Sequence, residues 1–166
     1  MILDQLDGVK INREGIVTTH PFCDYFKGFE NVDAIKRIFG EETDEVIGEL
    51  RVEFIGASWG YMGVSDLDGH LIISISYLKN GDIRDIYLDI IHELTHVKQF
   101  KEGKKLFDGH FSYVERPTEI EAYRNAVEEA RRLGVKDRQI IEYLKTEWMS
   151  EEDLKLLADS LNVKTS

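Results

Sequence analysis

The apolar positions of this chain change their period along its length, and those changes divide it into elements. Val32, Ile35, Ile38 and Phe39 recur at helical spacing, which predicts a helix over residues 31–39 with Gly40 at its C-terminal cap. From Glu45 the period shortens to two: VIGELRVEFIG alternates apolar and polar positions over much of its length. WGYMGV and LIISISYL follow, separated by Gly, Asp and Ser clusters. This predicts a three-stranded antiparallel run, or meander, with turns at 56–58 and 66–69. After Lys79-Asn80-Gly81-Asp82 the helical period returns, giving a long helix at about 83–102 closed by Gly103. A loop leads to Arg116, Pro117 opens a second helix over TEIEAYRNAVEEARRL, and Gly134 caps it. RQIIEYLKTEW and EEDLKLLADSL predict two closing helices, the latter with Ser150 as N-cap. Residues 1–30 read as irregular, with a short strand around 9–17. Strands first and helices second is the signature of an α+β fold.

The length, 166 residues, suffices for one core and not for two. One domain over 1–166 is expected, divided into an N-terminal segment and helix (1–44), a sheet with two helices (45–134) and a helical appendage (135–166). A net charge of −11 repels phosphate backbones and anionic lipid, so neither nucleic acid nor a membrane is an expected partner. Cys23 is the single cysteine, which rules out an internal disulfide and favours a reducing compartment. The first residues show neither a basic n-region nor an apolar h-region, and no apolar run approaches the roughly 20 residues of a membrane span. The expectation is a cytoplasmic protein.

The stretch that carries chemistry is IIHELTHVKQF. His92, Glu93 and His96 form H-E-x-x-H in the middle of the long helix. Four residues of helix bring the two imidazoles to within about 40° of one another on one face, as a shared tetrahedral metal ion requires. Glu93 stands about 100° round from His92, beside the metal, where it can take a proton from metal-bound water. Ile86, Tyr87, Ile90, Leu94 and Val97 form the face expected to pack on the sheet. Asp85, Leu88, Asp89, His92, His96 and Gln99 form the opposite face, expected to line a cleft. Asp89 is a candidate to orient a ligand histidine, or simply an acid near the helix start, favoured by the dipole.

Two histidines do not hold a catalytic zinc alone. The metzincin extension needs His at position 102, which is Glu102. The next helix offers Glu119 and Glu121. Positions 119, 122, 123, 126, 127 and 130 are Glu, Ala, Tyr, Ala, Val and Ala, so Glu119 lies in the apolar stripe, whereas Glu121 shares its face with Arg124, Asn125, Glu128 and Glu129. A buried carboxylate needs a cation, and either a metal or an arginine (Arg116, Arg124) would serve. Helical phase favours Glu119. His110, in the loop DGHFS, is the alternative third ligand.

Here the chain resembles the gluzincin class of zinc metallopeptidases, in which H-E-x-x-H on one helix is completed by a Glu on the next. IIHELTHVKQF with RPTEIEAYRNA is most similar to the small single-domain members, including the ImmA/IrrE-like peptidases. The resemblance spans about residues 71–130. In that class an Asp or Asn often follows the Glu ligand by four residues; here Tyr123 follows Glu119, while Asn125 follows Glu121, so both glutamates stay open. The resemblance implies a zincin-like fold, Zn²⁺ held by His92, His96 and Glu119, Glu93 as general base, and a peptide or protein substrate. It also implies a second electrophile, for which Tyr113, His110 and Tyr123 are candidates, and a cleft bordered by the strand before the zinc helix, LIISISYL. The alternative is a zincin-like module that keeps its metal but serves as a binding or regulatory protein. Cys23 is expected to be an inert buried thiol, His20 and His70 to have no metal role, Trp59 and Trp148 to anchor the core, and Lys98, Lys101, Lys104 and Lys105 to form a solvated helix end.

Overall fold

The computed structural model describes residues 6, 8–58 and 60–165. Trp59 lies outside the described residues. The fold is α+β. A short strand β1 (Lys10–Ile11) pairs antiparallel with β3 (Phe26–Lys27), and between them come β2 (Thr19–Pro21) and a single helical turn, α1 (Phe22–Tyr25). Then follow α2 (Asp33–Phe39), α3 (Thr43–Glu49), β4 (Arg51–Ile55), β5 (Met62–Val64) and β6 (Leu71–Ser74). The chain continues through α4 (Ile75–Asn80), α5 (Ile83–Lys101), α6 (Pro117–Arg132), α7 (Asp137–Leu144) and α8 (Glu151–Ser160). One apolar cluster runs through these elements, from Leu6 to Val163. No helix among the described residues is long and apolar enough to cross a membrane.

The sheet corrects the expected meander. Its order is β2-β4-β6-β5, with β4 parallel to β6 and the two outer pairings antiparallel. The chain leaves β4, passes over the position of β6, forms β5, and returns through the turn at 66–69 to fill the gap. Alternating polarity reports which face a residue takes, not which strand lies beside it, so a parallel neighbour leaves no mark in the pattern.

Two stretches read as strand are partly helix. Val46, Ile47 and Leu50 fit helical as well as alternating spacing. Thr43, Asp44 and Glu45 put a hydroxyl and two acids at the start, which suits a helix N-terminus, and α3 forms there before Leu50 turns extended. LIISISYL stops being a strand at Ser74, whose hydroxyl accepts from the Tyr77 amide and caps α4.

The long helix α5 is held at its start by Asp82, whose carboxylate accepts from the Arg84 and Asp85 amides. Lys98 and Lys101 sit in its last turn, as expected for a helix end. It is buried on nearly every side: Ile86, Tyr87, Ile90, Leu94 and Val97 are in the core, and so are Leu88 and Ile91. Leu88 therefore belongs to the core and does not line a cleft. The Ala122, Ala126 and Ala130 stripe of α6 is fully buried, and small side chains there let α6 lie close along α5. Trp148 is 59% exposed and meets Tyr113 edge-on, so it is no core anchor.

Candidate metal centre

The middle of α5 and the first turn of α6 meet over a set of buried polar groups. His92 and His96 direct Nε2 towards one another, 3.2 Å apart. Glu119 sits in the first turn of α6 and is 6% exposed. Its Oε1 lies 3.3 Å from His92 Nε2 and its Oε2 2.7 Å from His96 Nε2. Glu121 is half exposed and points elsewhere, accepting from Gln99 at 2.7 Å. Between the two glutamates, Glu119 is the one brought to both imidazoles.

His92, Glu93 and His96 offer donor atoms within 4.8 Å of one another and can hold a metal ion. The spacing of the donors tests that fit. Two nitrogens about 2.05 Å from a tetrahedral ion stand about 3.3 Å apart. The His92–His96 and His92–Glu119 separations match that edge, and the shorter His96–Glu119 contact has hydrogen-bond length. Glu93 Oε2 is buried and has no hydrogen-bond partner. Leaving such a group unpaired is unfavourable unless a ligand uses the site.

The residue that orients a histidine is Gln99, fully buried. Its amide nitrogen donates to Thr118 O at 3.0 Å and to Glu121 Oε1, both pure acceptors, which sets the amide's direction. The amide oxygen thus faces His96 Nδ1 at 2.7 Å, so Nδ1–H donates and Nε2 is left to serve the site. Asp89, the expected partner, instead accepts from the hydroxyls of Tyr77 and Tyr143. Burial pushes its carboxyl up to about 6, against the pull of those two hydroxyls. A glutamine three residues after a ligand histidine is a faint signal in a sequence, because its target, Thr118 O, is main chain.

Electrostatics follow from the same contacts. Burial works against a charge on Glu119, but hydrogen bonds from both histidines hold its carboxyl well below the usual carboxylate range. Burial also opposes protonation of His96, yet the Glu119 bond and the charge of Glu93 carry it up to about 9. Burial pushes the Glu93 carboxyl up.

A cleft of about 510 Å³ opens over Glu93, His96 and Glu119, with an apolar wall that includes Met62, Val64 and Leu106. Ile72 and Ser74 of LIISISYL line it, as expected, but the free edge beside it is β5. β6 lies inside the sheet between β4 and β5. Ser74 N donates to Tyr61 O and Ser65 N to His70 O, so positions 61, 63 and 65 bond inward. By alternation Met62 and Val64 turn their main-chain groups to the free edge.

Tyr113 lines the cleft, and its hydroxyl is 2.7 Å from that of Tyr123, whose ring packs on His92 at 4.3 Å. Burial raises both tyrosines, so both stay protonated. His110 is exposed and held by Asp108, away from the imidazoles, which removes it both as third ligand and as electrophile. Its apolar neighbours in the loop, Phe107 and Phe111, are themselves exposed. Asn125 donates to Thr95. Cys23 donates to Ile47 O, and His20 packs on Tyr25 and Phe54. His70 lies between Glu53 and Asp68.

Comparison of the chain with protein-family models, with curated proteins and with solved structures gives no match. The site must be read on its own chemistry.

Proposed function

We propose that the chain is a zinc-dependent peptidase, with His92, His96 and Glu119 as ligands and Glu93 as general base. One observation carries this reading: two imidazole nitrogens and a buried carboxylate converge, two of their three separations at a tetrahedral edge, beside an unpartnered glutamate oxygen that lines an open cleft. Zinc bound there would act as a Lewis acid and bring its water to a pKa of about 7.

The chain's own residues do the rest. Glu93 takes a proton from the attacking water and passes it to the leaving amine. The Tyr113 hydroxyl lies in the cleft, kept protonated, where it can donate to the oxygen that gains charge. The free edge of β5 offers the amide and carbonyl groups of Met62 and Val64 to an extended peptide, independently of its sequence.

Metal analysis of purified protein, with peptide cleavage measured before and after chelation, tests the reading. Glu93→Gln should keep the metal and lower cleavage by about 10²–10⁴-fold. Cleavage by Glu93→Gln at the wild-type rate would sink the mechanism. Bound zinc with no cleavage of any peptide would make the protein a metal-holding binding module instead.

A further inference from the structure

A second chamber, of about 380 Å³, adjoins the cleft on the His92 side. The two share Tyr61, Met62, Glu93 and Tyr113, so both open on the same edge strand and the same glutamate. Their chemistry differs. Apart from the metal set, the first chamber is mostly apolar and its one other charged residue is Arg116. Besides Glu93, the second is lined by three acids, Asp85, Asp89 and Glu142, with the exposed cation Lys145. Asp89 has both oxygens taken by tyrosine hydroxyls. Asp85 has only Oδ1 taken, by Arg84, and Glu142 is exposed beside it. Burial pushes the Asp85 carboxyl up against the pull of the Arg84 guanidinium, which pairs with it through Oδ1 only. Aromatic rings complete the wall: Tyr61 and Tyr77 meet edge-on at 4.8 Å, and Trp148 stands exposed at the rim.

Buried polar groups on the wall of this chamber have no hydrogen-bond partner. Glu93, with a side chain nine-tenths buried, lines this chamber and keeps one oxygen without a partner. The buried Thr146 hydroxyl, on the same wall, is also unpartnered.

We propose that the second chamber is a subsite for a cationic side chain, lysine or arginine, next to the bond that is cut in a peptide lying along β5. This rests on the peptidase reading above. A long aliphatic stem packs on the rings while its charged head meets Asp85 and Glu142, and cation–π contact adds to the attraction. An acidic side chain in the same place is repelled, so the chamber selects by exclusion as well as by attraction.

The test uses the full-length, zinc-loaded protein and a peptide library varied on both sides of the scissile bond, read by mass spectrometry. At one adjacent position Lys or Arg should exceed Leu by about tenfold in kcat/KM, and Glu should fall below Leu. Asp85→Asn with Glu142→Gln should bring the Lys/Leu ratio close to one. Glu142→Lys, at an exposed position, should lower the same ratio and raise Glu over Leu without endangering the fold. Zinc-loaded Glu93→Gln should bind a Lys peptide more tightly than its Leu and Glu counterparts. Cleavage without cationic preference, or a ratio that neither variant moves, overturns the subsite and leaves the peptidase. Lys-selective binding with no cleavage keeps the subsite and overturns the peptidase. Neither binding nor cleavage overturns both.

Discussion

Glu119 and Gln99 show how much of the centre depends on single side chains. Glu119 is buried against two imidazoles, so replacing it removes a donor and leaves two histidines facing a void. Glu119→Ala should weaken metal binding by at least about 100-fold, measured by competition with a chromophoric chelator. Glu121→Ala should change it by less than about tenfold, because Glu121 touches only Gln99 and a distant Lys104. Gln99→Ala should fall between the two, a loss of about 10–100-fold, since it frees His96 to turn without deleting a donor. Equal effects of Glu119→Ala and Glu121→Ala would reject the assignment of the third ligand. Helical phase favoured Glu119 as the buried one of the two but left both open as candidates; the structure brings Glu119 to the imidazoles. Gln99 was placed on the right face of α5 but not recognised as the orienting residue, since its partners come from α6 and from main chain.

Among the elements, the β5–β6 hairpin borders the cleft and supplies the free sheet edge beside it. Its return turn places Gly69 at φ +79°, a backbone conformation that L side chains rarely adopt. A Cβ there would also sit 2.6 Å from the Phe100 ring near the end of α5. The turn thus holds the hairpin against the metal helix. Gly69→Ala should cost about 2 kcal/mol, combining the left-handed penalty with displacement of the ring. At roughly 2–4 °C per kcal/mol for a chain of this size, Tm should drop by about 4–8 °C. An unchanged Tm would mean that the hairpin is not anchored in this way. The turn at 66–69 was legible from its Asp and Gly, and so were α5, α6 and α8 with its Ser150 cap. The strands at 45–55 and 71–78 were overextended, because Val46-Ile47-x-x-Leu50 and Ser74 satisfy a helix as well as a strand, and tertiary packing made the choice.

At the scale of the whole molecule, the buried pair of His96 and Glu119 couples stability to pH when no metal is bound. His96 is raised from 6.5 to about 9, so its contribution is fully present below about 6.5 and is lost as pH rises through about 9. Glu119 is lowered, so its contribution is present above its usual 4.5 and is lost as pH falls below that. Chelated protein should therefore have a Tm that declines from about pH 6.5 to pH 9.5. Metal competes with the proton on His96, so zinc should stabilise more as pH rises, and the gap between loaded and chelated Tm should widen. Parallel melting curves across pH 6–9.5 check both statements; a gap that narrows with pH would contradict the shared site. The chain alone determined the α+β class, the helices that carry His92, Glu93, His96 and Glu119, and the phase of those four residues along them, because period, caps and charge act within a few residues. Only the tertiary structure decided that β4 runs parallel to β6, that β5 is the free edge, that His110 stays outside, and that an acidic aromatic chamber adjoins His92. Those features depend on contacts between segments far apart in the chain, and no local pattern encodes which distant segment will arrive.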